Sequence, residues 1–400
     1  MSTPPLAARA PLLGGAESDA WTVHFLGAKR RAAGEDIILL SIGDPDAPTP
    51  APIVDAAKAS LDRGNTKYND LQGQPELRAA IAAWNEHLTG VAVAPEQVTV
   101  FSGAQCALFA ACQCLLDPGS EVIGFDPMYV TYPATIAAAG GVLKRVPLDP
   151  DRAFRPDLAA LEAARTEKTR AVLMNFPNNP TGAVLEPDDL AAIADFCVRH
   201  DLWLISDEVY AALVFEGRHL SPLALPGMAE RTVIVSSLSK SHAMTGWRVG
   251  WTIGPPALSP HTVNLALCML YGQPGFIQDA AAIGILGALE GQMAEIASMR
   301  ATYKARRDRA CALFRNLPGC RLHVPTAGMF IMLDIRALGW SATRFALLLL
   351  EEEGVAVLPA DPFGKVAQGH LRISLTAPED RIAEAAARLG RFLARHHAAA

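Results

Sequence analysis

One lysine stands in the stretch "SSLSKSHAMTGWRVGW", residues 236–251, directly after the apolar run "TVIV". A lysine at the end of a buried strand is either a solvated surface charge or an amine whose pKa its surroundings depress. The second kind is a nucleophile that can form a Schiff base. Eight positions after Lys240, Arg248 can fork two donors onto a phosphate, and Ser237 and Ser239 add hydroxyls. Another apolar run, "LWLIS", is followed by Asp207, Glu208 and Tyr210. A carboxylate at a buried strand end is costly without a cationic partner. That partner is either a structural basic side chain or the cationic nitrogen of a bound ring, and Tyr210 could then reach a phenolic oxygen on the same ring.

Two more strand ends carry small or amide residues. "QVTVF" leads into Ser102-Gly103-Ala104-Gln105, where backbone N–H groups at a helix start suit a phosphate, although any strand-to-helix turn needs small residues. "RAVLMNF" leads into Pro177-Asn178-Asn179-Pro180-Thr181-Gly182, a rigid turn that also holds an amide in a fixed direction. Taken together, a phosphate cradle, a lysine amine, an aspartate for a pyridinium and a tyrosine for a phenolic oxygen meet the requirements of pyridoxal phosphate.

The elements that must position these groups are short apolar runs alternating with helical patterns, the signature of parallel strands covered on both faces. The expected strands are "QVTVF", "EVIGF", "GVLKRV", "RAVLMNF", "LWLIS", "TVIVSS" and "RVGWTIG". In such doubly wound sheets ligands sit beyond the carboxyl ends of the strands. From about Met293 the character shifts. A long polar-faced helix leads to "GMFIMLDI", "VAVLP" and "HLRISL", and a closing helix begins near Thr376, Pro378 and Glu379. The expected division is an arm and the first part of a small α+β domain over 1–50, a large domain over 51–292, and the rest of the small domain over 293–400.

Composition narrows the partners. Half of the 400 residues are hydrophobic and 19% charged, with a net charge of -6, which leaves no footprint for nucleic acid or an anionic membrane. Seven scattered cysteines read as reduced core residues of a cytosolic protein. Cys112 and Cys114 are too close in sequence to share a helix face, and no metal site is expected. No secretory signal is expected at the N-terminus, and no apolar run reaches the ~18 residues that span a bilayer.

From about residue 36 to about residue 392 the chain resembles fold-type I, class I/II aminotransferases, through "YNDLQGQPELRAAIA", "NNPTG", "DEVY", "SLSKSHAMTGWRVGW" and "HLRIS" in that order. The resemblance implies an aspartate-aminotransferase-like α/β fold with a mainly parallel seven-stranded sheet and a smaller α+β domain. It implies that Lys240 is the Schiff-base lysine and moves the proton between substrate Cα and cofactor C4′. Asp207 would keep the pyridine nitrogen protonated, with Asn179 and Tyr210 on the phenolic oxygen. Gly103, the N–H groups of Ala104 and Gln105, and Ser237, Ser239 and Arg248 would surround the phosphate, and Tyr129 would stack on the ring. Arg372 would fork the substrate α-carboxylate, with Asn179 beside it and the backbone at Gly43 closing over it. Tyr68 resembles the tyrosine that reaches the neighbouring subunit's phosphate, implying a homodimer. Ala360, in "VLPADPFG", departs from a frequent glycine and puts the loop's backbone shape in doubt.

The stretches "GAQCAL", "DPMYVTYP" and "NLALCMLYG" are most similar to arginine:pyruvate transaminases. Arginine or a related guanidino amino acid is therefore the expected donor and a 2-oxo acid such as pyruvate the acceptor. An aspartate- or aromatic-type aminotransferase and a β-lyase stay open, because the same cradle serves several bond cleavages at Cα. A regulator built on this domain would carry a basic DNA-binding module ahead of it; the about 35 residues ahead of the first matching segment are not basic.

Overall fold

Two sheets organise the chain in a computed structural model that describes residues 4–13 and 21–397. Residues 1–3 and 14–20 of the expected N-terminal arm, and the terminal alanines 398–400, lie outside the described residues. The strands are β1 (Ile38–Leu40), β2 (Val98–Phe101), β3 (Glu121–Asp126), β4 (Val142–Asp149), β5 (Arg155–Pro156), β6 (Thr169–Asn175) and β7 (Trp203–Asp207). They continue as β8 (Thr232–Ser237), β9 (Gly250–Ile253), β10 (Arg321–His323), β11 (Phe330–Asp334), β12 (Val355–Pro359) and β13 (His370–Ser374).

The large sheet has the order β2-β9-β8-β7-β6-β3-β4-β5. Its seven long strands are the expected ones, and β9 runs in the direction opposite to the other six. The eighth, β5, is a two-residue edge strand containing a proline; so short a run has no periodicity to betray it. Strands β2, β3, β8 and β9 are buried almost throughout, as strands covered by helices on both faces must be. The successive parallel pairs β3–β6, β6–β7 and β7–β8 bring the carboxyl ends Asn175, Asp207 and Ser237 to one edge.

The second sheet has the order β1-β12-β13-β11-β10, with β1 parallel to β12 and the other pairs antiparallel. Its core joins Ile38 and Leu40 of β1 to Leu371 and Ile373 of β13 and to Leu389 and Phe392 of the closing helix Glu379–His397. The long helix Ala294–Phe314 bridges the two cores. Ile296 packs with the helices of the large sheet, whereas Met299, Tyr303 and Phe314 pack with the small one. Ala360 is fully buried at φ -93°, a conformation open to any residue, so this loop does not need glycine. Among the described residues no single helix is long and apolar enough to cross a membrane.

Candidate active site

Strand β8 ends at Ser237, and the turn that follows carries Lys240 into a cavity of about 520 Å³ between the two sheets' loops. Its Nζ donates to the carbonyl oxygen of Gly43 at 2.6 Å. Burial lowers the amine pKa from 10.5 to about 8; Arg372 and Arg248 push it the same way, and Asp44 opposes them. The amine is thus closer to its neutral, nucleophilic form at physiological pH than a surface lysine. Gly43 comes from the loop after β1. A Cβ there would lie 2.2 Å from Phe330 Cζ, so only glycine lets the backbone approach this closely.

Asp207 ends β7 and sits in register with Asn175, the last residue of β6. Its Oδ2 accepts from the Tyr132 hydroxyl at 2.5 Å, and its Oδ1 accepts from the Val209 N–H at 3.1 Å. Burial raises its pKa to about 6, and these two hydrogen bonds restrain the rise. The Asn175 side chain ties the strand ends together: Nδ2 donates to the Asp207 carbonyl, and Oδ1 accepts from the Asn179 N–H at 2.9 Å. Tyr210, buried one turn on, has its phenol pushed well up by burial and stays a neutral hydrogen-bonding group. Sequence reasoning missed both Tyr132 and Asn175.

Another part of the site is shaped by backbone. Gly103, at φ +84°, precedes the helix Ala104–Leu115, whose first N–H groups have no partner within the helix. A Cβ on Gly103 would lie 2.5 Å from Arg248 Nη2, and one on Gly250 would lie 2.4 Å from the Ala104 nitrogen. Arg248 donates to the carbonyls of Thr245 at 2.8 Å and Ser102 at 3.3 Å, which aligns it over this turn. The Gln105 side chain is held by Thr131 and Thr135. Ser237 and Ser239 also line the cavity, and the Ser239 N–H donates to Ser237 Oγ at 3.4 Å.

Arg372 of β13 also lines the cavity and is 1% exposed. Nη1 donates to Asn179 Oδ1 at 3.0 Å and Nη2 to the Ser41 carbonyl at 2.8 Å, while Nε has no partner among the described residues. The guanidinium lies 4.0 Å from the Phe330 ring centroid. Burial lowers its pKa to about 10, so it remains a cation at neutral pH. Tyr129 lines the cavity with its ring 5.8 Å from that of Tyr132. The helix Thr22–Ala32 and Trp21 before it, which sequence reasoning did not place, contribute Trp21, His24 and Phe25 to the mouth.

Of the expected site residues, Gly103 shapes the turn just behind the cavity lining, and Tyr68 alone stands apart from the site. Tyr68 is 83% exposed and packs on Tyr271, with ring centroids 4.8 Å apart.

The model of the aminotransferase class I and II family matches residues 35–389. This chain belongs to the class I and II aminotransferases. The aminotransferase is 50% identical over 370 residues to arginine–pyruvate transaminase AruH of Pseudomonas aeruginosa, covering 92% of this chain and 93% of that one. It is 36% identical to an aspartate/prephenate aminotransferase of Thermus thermophilus, covering 91% and 93%. Among solved structures, a single mutant of Thermus thermophilus aspartate aminotransferase superposes with a TM-score of 0.90 at 35% identity, covering 97% of this chain and 100% of that one. An aromatic aminotransferase from Pyrococcus horikoshii gives 0.87 at 36% identity, covering 93% and 99%. The enzyme is a transaminase, and its fold is that of the aspartate aminotransferases.

Proposed function

We propose that this transaminase uses pyridoxal phosphate to move the α-amino group of arginine, or of a related guanidino amino acid, to pyruvate. The observation that carries the cofactor reading is the pairing in one cavity of a depressed lysine amine with a carboxylate buried at the next strand end. A buried aspartate with no basic partner among the described residues fits the cationic nitrogen of a ring. The turn at Gly103, where a side chain would strike Arg248, fits a phosphate held by helix N–H groups. When bound, the cofactor supplies an aldehyde for amines and a ring that accepts the electron pair left at Cα.

The chain's own residues do the rest. Lys240, as a neutral amine, would hold the cofactor's aldehyde carbon with loss of water and would move the proton between substrate Cα and cofactor C4′. Asp207 would keep the ring nitrogen positive, with Tyr132 holding Asp207 ionised. Asn179 and Tyr210 would hold the phenolic oxygen, Tyr129 the ring, and Ala104, Gln105, Ser237, Ser239 and Arg248 the phosphate. Arg372, steadied by Asn179, would fork the α-carboxylate, and Gly43 would close over it. Exposed Tyr68 suits a contribution to the phosphate of a second copy, making the enzyme a homodimer. Its seven cysteines are free, in keeping with a cytoplasmic protein.

For the substrate, the 50% identity to an arginine–pyruvate transaminase is the main support. Two carboxylates line the cavity: Asp207, assigned to the ring, and exposed Asp44, the one left to pair with a guanidinium. A panel of amino donors against pyruvate and 2-oxoglutarate tests this. L-arginine with pyruvate is expected to exceed L-aspartate and L-phenylalanine by at least about tenfold in kcat/KM, the ~1.4 kcal/mol of one well-placed ion pair. Preference for aspartate or an aromatic donor would overturn the arginine assignment. Release of ammonia and pyruvate from cysteine without any 2-oxo acid would mark a β-lyase instead.

A further inference from the structure

The five-stranded sheet carries three ligand-type side chains that the reaction does not use. Strands β11 and β13 pair Asp334 with His370 and Met332 with Arg372, and β10 pairs His323 with Met332. Cross-strand partners, and residues two apart on one strand, share a face. His323, Asp334 and His370 therefore project from one face of the sheet, the face that also carries Arg372. None of the three lines the catalytic cavity.

We propose that His323, Asp334 and His370 form a site for one divalent transition ion of the zinc class. One ligand atom from each lies within 4.8 Å of the others. His370 is 0% exposed, Asp334 7% and His323 9%, and Nε2 of both histidines is buried without a hydrogen-bond partner among the described residues. Two imidazole nitrogens left unpaired in a protein interior cost free energy unless a ligand satisfies them. His370 Nδ1 lies 3.1 Å from the Gln368 carbonyl. A carbonyl can only accept, so Nδ1 carries the proton and Nε2 presents its lone pair. Histidines that bind metals commonly donate the far ring nitrogen to a backbone carbonyl in this way.

The ligand types agree with this. Arg336 donates from Nε and Nη2 to the two oxygens of Asp334 and orients its carboxylate. Two imidazoles and one carboxylate suit zinc-class ions better than calcium or magnesium, which prefer oxygen ligands. Bond lengths of about 2.0–2.2 Å require the side chains to rotate inward and Asp334 to release one oxygen from Arg336.

The test is equilibrium dialysis of the cofactor-loaded enzyme against Zn²⁺, and separately Co²⁺, with metal counted per chain. One ion per chain is expected, and the His323→Gln and His370→Gln variants should bind it at least about 100-fold more weakly. Bound Co²⁺ should show visible bands without a thiolate charge-transfer band. Should either variant fail to fold, Asp334→Asn is expected to weaken binding by a similar factor, and Zn²⁺ to raise the wild-type Tm in a way that a chelator reverses. Absence of binding would overturn the proposal, leaving a proton or a water shared by the two imidazoles. Binding undiminished in the variants would overturn it too, since a cysteine or the cofactor would then hold the ion.

Discussion

Lys240→Ala is expected to lower kcat by at least about 10⁴-fold while leaving the far-ultraviolet circular dichroism unchanged. Positioned proton transfer alone is worth about 10²–10⁴-fold, and loss of covalent attachment adds to it. The fold survives because the one hydrogen bond made by Nζ goes to the Gly43 carbonyl, a loop group beside the cavity and not part of either sheet's ladder. Added methylamine should restore part of the activity, because the substitution leaves space for a free amine. Activity within tenfold of wild type would remove Lys240 from the mechanism.

Asp207→Asn is the second large effect, a fall in kcat/KM of about 10²–10⁴-fold. A ring cation left unpaired in a buried site costs about 3–5 kcal/mol, and that converts to this range. Asparagine keeps the shape and can still accept from the Val209 N–H, so the loss is one of charge. Tyr132→Phe is a graded version of the same change. The hydroxyl bond to Oδ2 restrains an Asp207 pKa that burial has already raised to about 6. Without that bond the pKa climbs further, by about 1–2 units for a hydrogen bond to a charged group. The sign follows: the carboxylate is lost as pH falls through its pKa, so the acid limb of cofactor affinity moves to higher pH. Titration of cofactor binding between pH 5 and 9 reads it. An unmoved limb would show that Tyr132 does not act through Asp207.

Much of this site was legible in the sequence because a doubly wound sheet places its strand ends at one edge. Asp207, Asn179 and Lys240 each follow an apolar run, so finding the runs locates the chemistry. Arg372 was legible only through resemblance, since an arginine inside the strand "HLRIS" has no spacing that distinguishes it from a structural cation. Tyr132 was missed for a reason of phase. It stands three residues after Tyr129 in one stretch, and which tyrosine reaches Asp207 depends on where the helix Tyr132–Ala138 begins. Asn175 hid inside a strand otherwise read as apolar, where its side chain exchanges bonds with the neighbouring strand end and the next turn. The cluster His323, Asp334 and His370 comes from three strands joined only by register, and register is not written in local spacing. Tyr68 is the opposite case: its motif is plain, yet in one chain its ring lies on the surface against Tyr271.

Borohydride reduction of the cofactor-loaded enzyme, followed by mass mapping of its peptides, asks whether Lys240 is the amine that holds the aldehyde. One phosphopyridoxyl group per chain is expected, attached to Lys240 and to no other lysine, and it should disappear when arginine is added before the reductant. A label on a different lysine, or a chain that takes up no cofactor, would contradict the Schiff-base role of Lys240 on which the mechanism rests.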